Sequence, residues 1–116
     1  VYVSVSQTGS LQSSMTLISD TFTASSTPSK ARIVVFAELP DGTSDFAVSA
    51  TRDNTTFNTI TLTDEGYETG SSGIKVFTGS TPLTGTASPQ VQMRWKIVGS
   101  SLTGLNKIHG VSLQWS

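Results

Sequence analysis

The chain holds one histidine, His109, and no cysteine, so the residue types on which most enzymes rely are nearly missing. A nucleophilic triad needs a base held between a nucleophile and a carboxylate. His109 shares strand parity with Val111, Leu113 and Trp115, which points to a structural or sheet-edge histidine. With no second histidine and no thiolate, a typical zinc site is excluded. Carboxylates are the other hydrolytic route. Asp64, Glu65 and Glu68 fall in one polar run, D-E-G-Y-E-T-G-S-S-G from Asp64 to Gly73. Catalytic carboxylate pairs are kept at a fixed separation on rigid elements, so three acids in one loop read as solvated charge. A hard cation such as calcium would accept their oxygens, but no D-x-D-x-D-G spacing accompanies them. Neither catalysis, nor a cofactor, nor a metal is expected.

Binding residues are a different matter. The face of a sugar ring stacks on a flat aromatic, and Trp and Tyr favour surfaces where one side is apolar and the other wet. Trp95 and Trp115 both sit on the apolar parity of their segments, which assigns them to a core. Tyr67, flanked by acids in a Gly/Ser-rich stretch, has no periodic reason to be buried; it could contact a ligand or fold back as a lid on the sheet edge. Arg94 and Lys96 alternate with Trp95 and project to the polar side. Together with Arg52, and with Glu68 beside Tyr67, they form the candidate contact set for an acidic glycan or a partner subunit. A solvated β-surface explains the same residues.

The elements that would position these groups are strands. Val91 to Val98 (V-Q-M-R-W-K-I-V) places Val91, Met93, Trp95 and Ile97 on one parity and Gln92, Arg94 and Lys96 on the other. Ile108 to Trp115 repeats the alternation, and successive strand side chains point to opposite faces. A Gly/Ser-rich loop ending at Asn106 separates them, so the two are predicted to pair as a closing hairpin with a tryptophan from each in the core. Upstream, Val1, Val3 and Val5 mark a short strand suited to an edge. Gln7 to Ser14 reads as loop. Met15 to Thr23 has Leu17 on one parity and Ile18 and Phe22 on the other, a conflict that a bulge near Ser19 would reconcile.

Ala31 to Leu39 (A-R-I-V-V-F-A-E-L) is apolar on both parities, as expected of a central strand or of one covered by a neighbouring subunit. Pro40 to Thr43 (P-D-G-T) is a turn. Asp45 to Arg52 is a strand with Phe46, Val48 and Ala50 inward, and R-D-N-T-T from Arg52 to Thr56 is a tight turn. Phe57, or Ile60 with Leu62, begins the return. Ile74 to Gly79 is another strand, and Ser80 to Pro89 is a connection.

About eight strands with evenly spaced turns predict an all-β, antiparallel two-sheet sandwich, jelly-roll-like or Greek-key. Composition agrees. Ser and Thr make up about a third of the 116 residues, Thr suiting a half-exposed pleated surface and Ser suiting turns. The length suits one domain. A net charge of -1 with scattered basic residues argues against nucleic acid, which needs a concentrated basic face. No apolar run approaches the ~20 residues that span a bilayer, and V-Y-V-S-V lacks the layout of a signal peptide. A soluble protein is expected, without membrane insertion. A first residue Val1 in place of Met suggests processing or a longer parent chain.

Three stretches carry a family resemblance: S-D-T-F-T-A-S-S-T-P-S-K-A-R-I-V-V-F at Ser19 to Phe36, S-A-T-R-D-N-T-T-F-N-T-I-T-L-T at Ser49 to Thr63, and R-W-K-I-V-G-S with K-I-H-G-V-S-L-Q-W between Arg94 and Trp115. The last two resemble a pattern of tail fibre and tail-associated, receptor-binding proteins of tailed bacteriophages. There, a strand bearing S-x-S-R-D-G-G-T-T-W precedes L-R-W-K and a terminal I-H-G-V-x-L-Q-W. Asn54 and Thr55 stand where that turn commonly has Gly, and Phe57 stands near the usual Trp. The resemblance implies a β-sandwich module of a longer virion protein, often homotrimeric, serving attachment to a host-surface glycan or assembly with other virion proteins. It supplies no functional residues. A purely structural virion protein, such as a capsid decoration or tail connector, and a secreted carbohydrate-binding module are the competing expectations; a hydrolase comes last.

Overall fold

A computed structural model describes residues 2–5, 15–39, 46–67, 73–99 and 107–116. Ten strands run through them: β1 (Tyr2–Val5), β2 (Met15–Ile18), β3 (Phe22–Thr23), β4 (Lys30–Glu38), β5 (Phe46–Thr51), β6 (Asn58–Ile60), β7 (Thr63–Tyr67), β8 (Lys75–Pro82), β9 (Gln92–Gly99) and β10 (Lys107–Trp115). They form two sheets, β1-β10-β4-β8-β7 and β2-β9-β5-β6, with β3 also on β9. Every pairing between named strands is antiparallel. The fold is an all-β sandwich. Its pairs nest along the chain: β1 with β10, β2 with β9, β4 with β8, β5 with β6. A long hairpin rolled up on itself gives that nesting, and it is the arrangement of a jelly roll.

The alternation explains why these segments are strands and which way they face. On β9, Met93, Trp95 and Ile97 are buried while Arg94, Lys96 and Val98 are only partly so. On β4, Ala31, Ile33, Val35 and Ala37 line the core, with Val34 and Phe36 half-covered behind them. β4 is the middle strand of its sheet, as its two apolar parities predicted. Val48, Ala50, Ile60, Phe77, Val111 and Leu113 also line the interior. Burying one such aliphatic side chain contributes about 1.5–3 kcal/mol. Phe46 packs against this cluster, and β1 lies at a sheet edge, both as predicted.

The closing hairpin is corrected. β9 and β10 belong to different sheets, so the two strands face each other across the core in place of pairing. Each tryptophan nevertheless enters that core, Trp95 at 4% exposure and Trp115 at 8%. One apolar face per strand is satisfied equally by a pair in one sheet and by a pair in opposite sheets. The nested pairing decides: β9 is already taken by β2 and β5, and β10 by β1 and β4.

Two further boundaries and one side-chain facing shift. The polar run from Asp64 begins as strand, since β7 extends to Tyr67. β8 continues through Pro82, taking in residues read as connection. His109 sits at a bulge between Ile108 and Gly110, so Ile108 takes the inward place opposite Ala37 and His109 leaves the row of Val111 and Leu113.

The conflict in Met15 to Thr23 resolves at Ser19, near the predicted bulge. Leu17 pairs with Ile97 and Phe22 with Met93, both on the inward parity, and the chain breaks between them. Ser19 N donates to Trp95 O at 3.0 Å, while Ser19 Oγ accepts from Trp95 N at 3.0 Å. A side-chain oxygen thus stands in for a ladder carbonyl, and the Trp95 backbone N–H keeps an acceptor. The Gln7 to Ser14 loop, the Pro40 to Thr43 turn and the loop before Lys107 lie outside the described residues.

Candidate functional site

The R-W-K run of β9 places Trp95 inward and turns Arg94 and Lys96 onto the outer face of the β2-β9-β5-β6 sheet. Opposite Lys96 stand Ile18 on β2 and Ser49 on β5, and beyond Ser49 stands Thr59 on β6. Arg94 lies opposite Thr51. Two positions along a strand is about 6.5–7 Å, so the cations form a short ridge amid hydroxyls. Ile18, 45% exposed, gives the ridge an apolar flank.

Both cations are held by uncharged groups. Arg94 Nε donates to Ser19 O at 2.9 Å and Nη1 to Asn54 Oδ1 at 3.0 Å. The Lys96 ammonium lies 4.3 Å from the centroid of the Phe57 ring, a cation–π contact. Phe57 directly precedes β6 and is half-buried. Ion pairs among the described residues join Lys75 to Asp64 and His109 to Glu38. Neither involves Arg94 or Lys96, and Asp20, next to Ser19, pairs with neither cation. Among the described residues, the charge on this face is therefore oriented but not neutralised.

The other candidate residues are placed elsewhere. Arg52 ties loops together: its Nε donates to Gly85 O and its Nη1 to Pro28 O, each at 2.8 Å. Tyr67 ends β7, an edge strand of the opposite sheet, and is 59% exposed. Its ring lies 5.2 Å from the Lys75 ammonium, which is paired with Asp64 Oδ2 at 2.9 Å. That pairing lowers the Asp64 carboxyl and raises the Lys75 ammonium. Glu68 lies outside the described residues. Arg94 and Lys96 share a face, then, whereas Tyr67 belongs to the other sheet and Arg52 serves the fold.

His109 Nε2 lies 2.8 Å from Glu38 Oε2, a partner two-strand registry could not reveal because the bulge turns the ring toward β4. Among the described residues, no group of three or more His, Cys, Asp or Glu could hold a metal ion.

Asp53 is the residue that sequence reasoning passed over. It is 3% exposed, and Oδ1 accepts from Thr55 N at 3.0 Å, Thr56 N at 2.8 Å and Thr51 Oγ1 at 2.9 Å. Oδ2 accepts from Ala87 N at 3.1 Å. Burial pushes the carboxyl up, but these four donors together outweigh it and hold the group well below the usual carboxylate range. Asn54 supplies the left-handed residue of the turn, at φ 61, which Asn tolerates. Gly85 lies so close that a Cβ there would strike the Asp53 carboxylate. With its oxygens filled by N–H and O–H donors, Asp53 is an anchor for the turn and offers little to a cation. The signal that could have found it is the Asp-Asn pair that opens D-N-T-T at Asp53 to Thr56, an Asp placed to accept the backbone N–H two residues on, as in an Asx turn.

No protein-family model, curated protein or solved structure matches this chain.

Proposed function

We propose that this chain is a non-catalytic module of a tailed-bacteriophage tail fibre or tail-associated protein, which attaches the virion to a glycan of the bacterial surface. The observation that carries the reading is the outer face of the β2-β9-β5-β6 sheet, where Arg94 and Lys96 are presented by neutral partners among Ser and Thr hydroxyls. The same R-W-K run belongs to the motifs that resemble tail fibre proteins. A jelly roll serves lectins and viral capsids alike, so the fold suits the reading without selecting it. The module works as a homotrimer or alongside other virion proteins.

The test is a screen of the purified protein against arrayed bacterial surface polysaccharides, with its mass in solution measured by light scattering in the same buffer. Specific binding is expected. A folded protein that binds no arrayed glycan would overturn the attachment reading.

A second reading rests on a different observation. Phe36 pairs with Val76 on the outer face of the β1-β10-β4-β8-β7 sheet, and Val34 follows two places along β4 opposite Thr78, all three apolar side chains half-buried. An apolar row there suits a scaffold module packed against another virion protein. An assembly that excludes glycans but forms a stable oligomer would favour it.

A further inference from the structure

We infer that the attachment surface is the Arg94–Lys96 ridge and that its ligand is an acidic polysaccharide bearing carboxylates. The inference rests on the attachment reading and names the ligand class for that site.

Charge complementarity is the main argument. A cation already paired with a carboxylate, as Lys75 is with Asp64, must give up that partner to bind an anion. Among the described residues, Arg94 and Lys96 have only a carbonyl, an amide oxygen and a ring as partners, so an incoming carboxylate meets positive charge that none of those residues offsets. Two hydrogen bonds fix the guanidinium plane on the sheet, which cuts the ordering entropy lost on binding. Its other N–H groups can form charge-assisted bonds, stronger than neutral ones.

The surroundings select a sugar over other anions. Ser49, Thr59 and Asn54 offer neutral hydroxyl and amide groups to sugar hydroxyls, and Ile18 offers a small apolar step to the ring. Nucleic acid asks for many phosphate contacts and a broad basic surface, which two cations on a chain of net charge -1 do not make.

The experiment measures binding of the folded protein to alginate, dextran, poly-glutamate and a single-stranded DNA oligomer, at low and high salt. Arg94→Gln/Lys96→Gln is compared with Lys30→Gln/Arg32→Gln, whose exposed cations lie on β4 in the other sheet. Both double variants change net charge equally. Lys96→Gln alone serves if loss of the Arg94 ties impairs folding, which circular dichroism reports. The expected result is salt-sensitive binding to alginate, weakened about ten-fold or more by the ridge variants, the scale of one charge-assisted hydrogen bond. The β4 variant should retain it. Binding of dextran or neutral array glycans that ignores the ridge variants would overturn the inference and leave the attachment reading standing. Equal binding of poly-glutamate or DNA would overturn the sugar assignment. Silence toward every glycan would remove both.

Discussion

Asp53 and Asp64 each accept the N–H of the residue two places on, Thr55 at 3.0 Å and Gly66 at 2.8 Å, yet the two turns serve opposite ends. The Asp53 turn is closed: its carboxylate is buried and reaches Ala87 from a distant loop. Nearby, Arg52 bonds Gly85 and Pro28, so three separate connections are fastened at one place. The Asp64 turn is open, its exposed carboxylate bonded to half-exposed Lys75 at the β7–β8 edge. Both carboxyls titrate below their ordinary value, by different means. Fixed, water-excluded N–H dipoles are worth far more than an ion pair in solvent. A depressed carboxylate therefore says little until its surroundings are known.

The sharpest way to break the contrast is Asp53→Ala. It leaves the N–H groups of Thr55, Thr56 and Ala87 without their acceptor, and an orphaned buried donor costs about 1–3 kcal/mol. A loss of about 3 kcal/mol or more is expected in chemical denaturation. A loss under about 1 kcal/mol would mean that water replaces the carboxylate.

Acid titration sharpens the same contrast. A carboxyl whose folded pKa lies below its unfolded value, about 3.9, stabilises the fold above that value. The contribution drains away as pH falls through the folded pKa. Wild-type stability should therefore decline between about pH 5 and pH 2 more steeply than that of Asp53→Asn, which has no proton to take up there. Parallel profiles would show that Asp53 is not the group responsible.

The smallest effect is expected at the open turn. Asp64→Asn should leave the denaturation midpoint within experimental error at moderate salt, because exposed pairs are screened. A clear loss that persists in high salt would place Asp64 in a tighter environment than its exposure implies.

Most of the fold was legible in the residues. Alternation in β4, β5 and β9 identified the inward rows, and the mismatch of Leu17 with Phe22 located the break at Ser19. Partnership between strands was not legible, as β9 and β10 illustrate: period-2 patterning marks a face, not a neighbour. Within the candidate site, the outward direction of Arg94 and Lys96 followed from parity. Their neutral partners did not, since Ser19, Asn54 and Phe57 come from other parts of the chain. Arg52, indistinguishable from them by type, was drawn into the loops by carbonyls that only the fold brings near.

Side-chain direction in a strand is local and strictly alternating, so the residues alone specify an all-β sandwich with both tryptophans inside and two cations outside. Which strands share a sheet, that Asp53 is the buried anchor, and which cations lack a carboxylate partner among the described residues all emerge with the folded chain. Those outcomes depend on donors and acceptors arriving from distant segments, and the nested pairing of the jelly roll, not local patterning, sets where they meet.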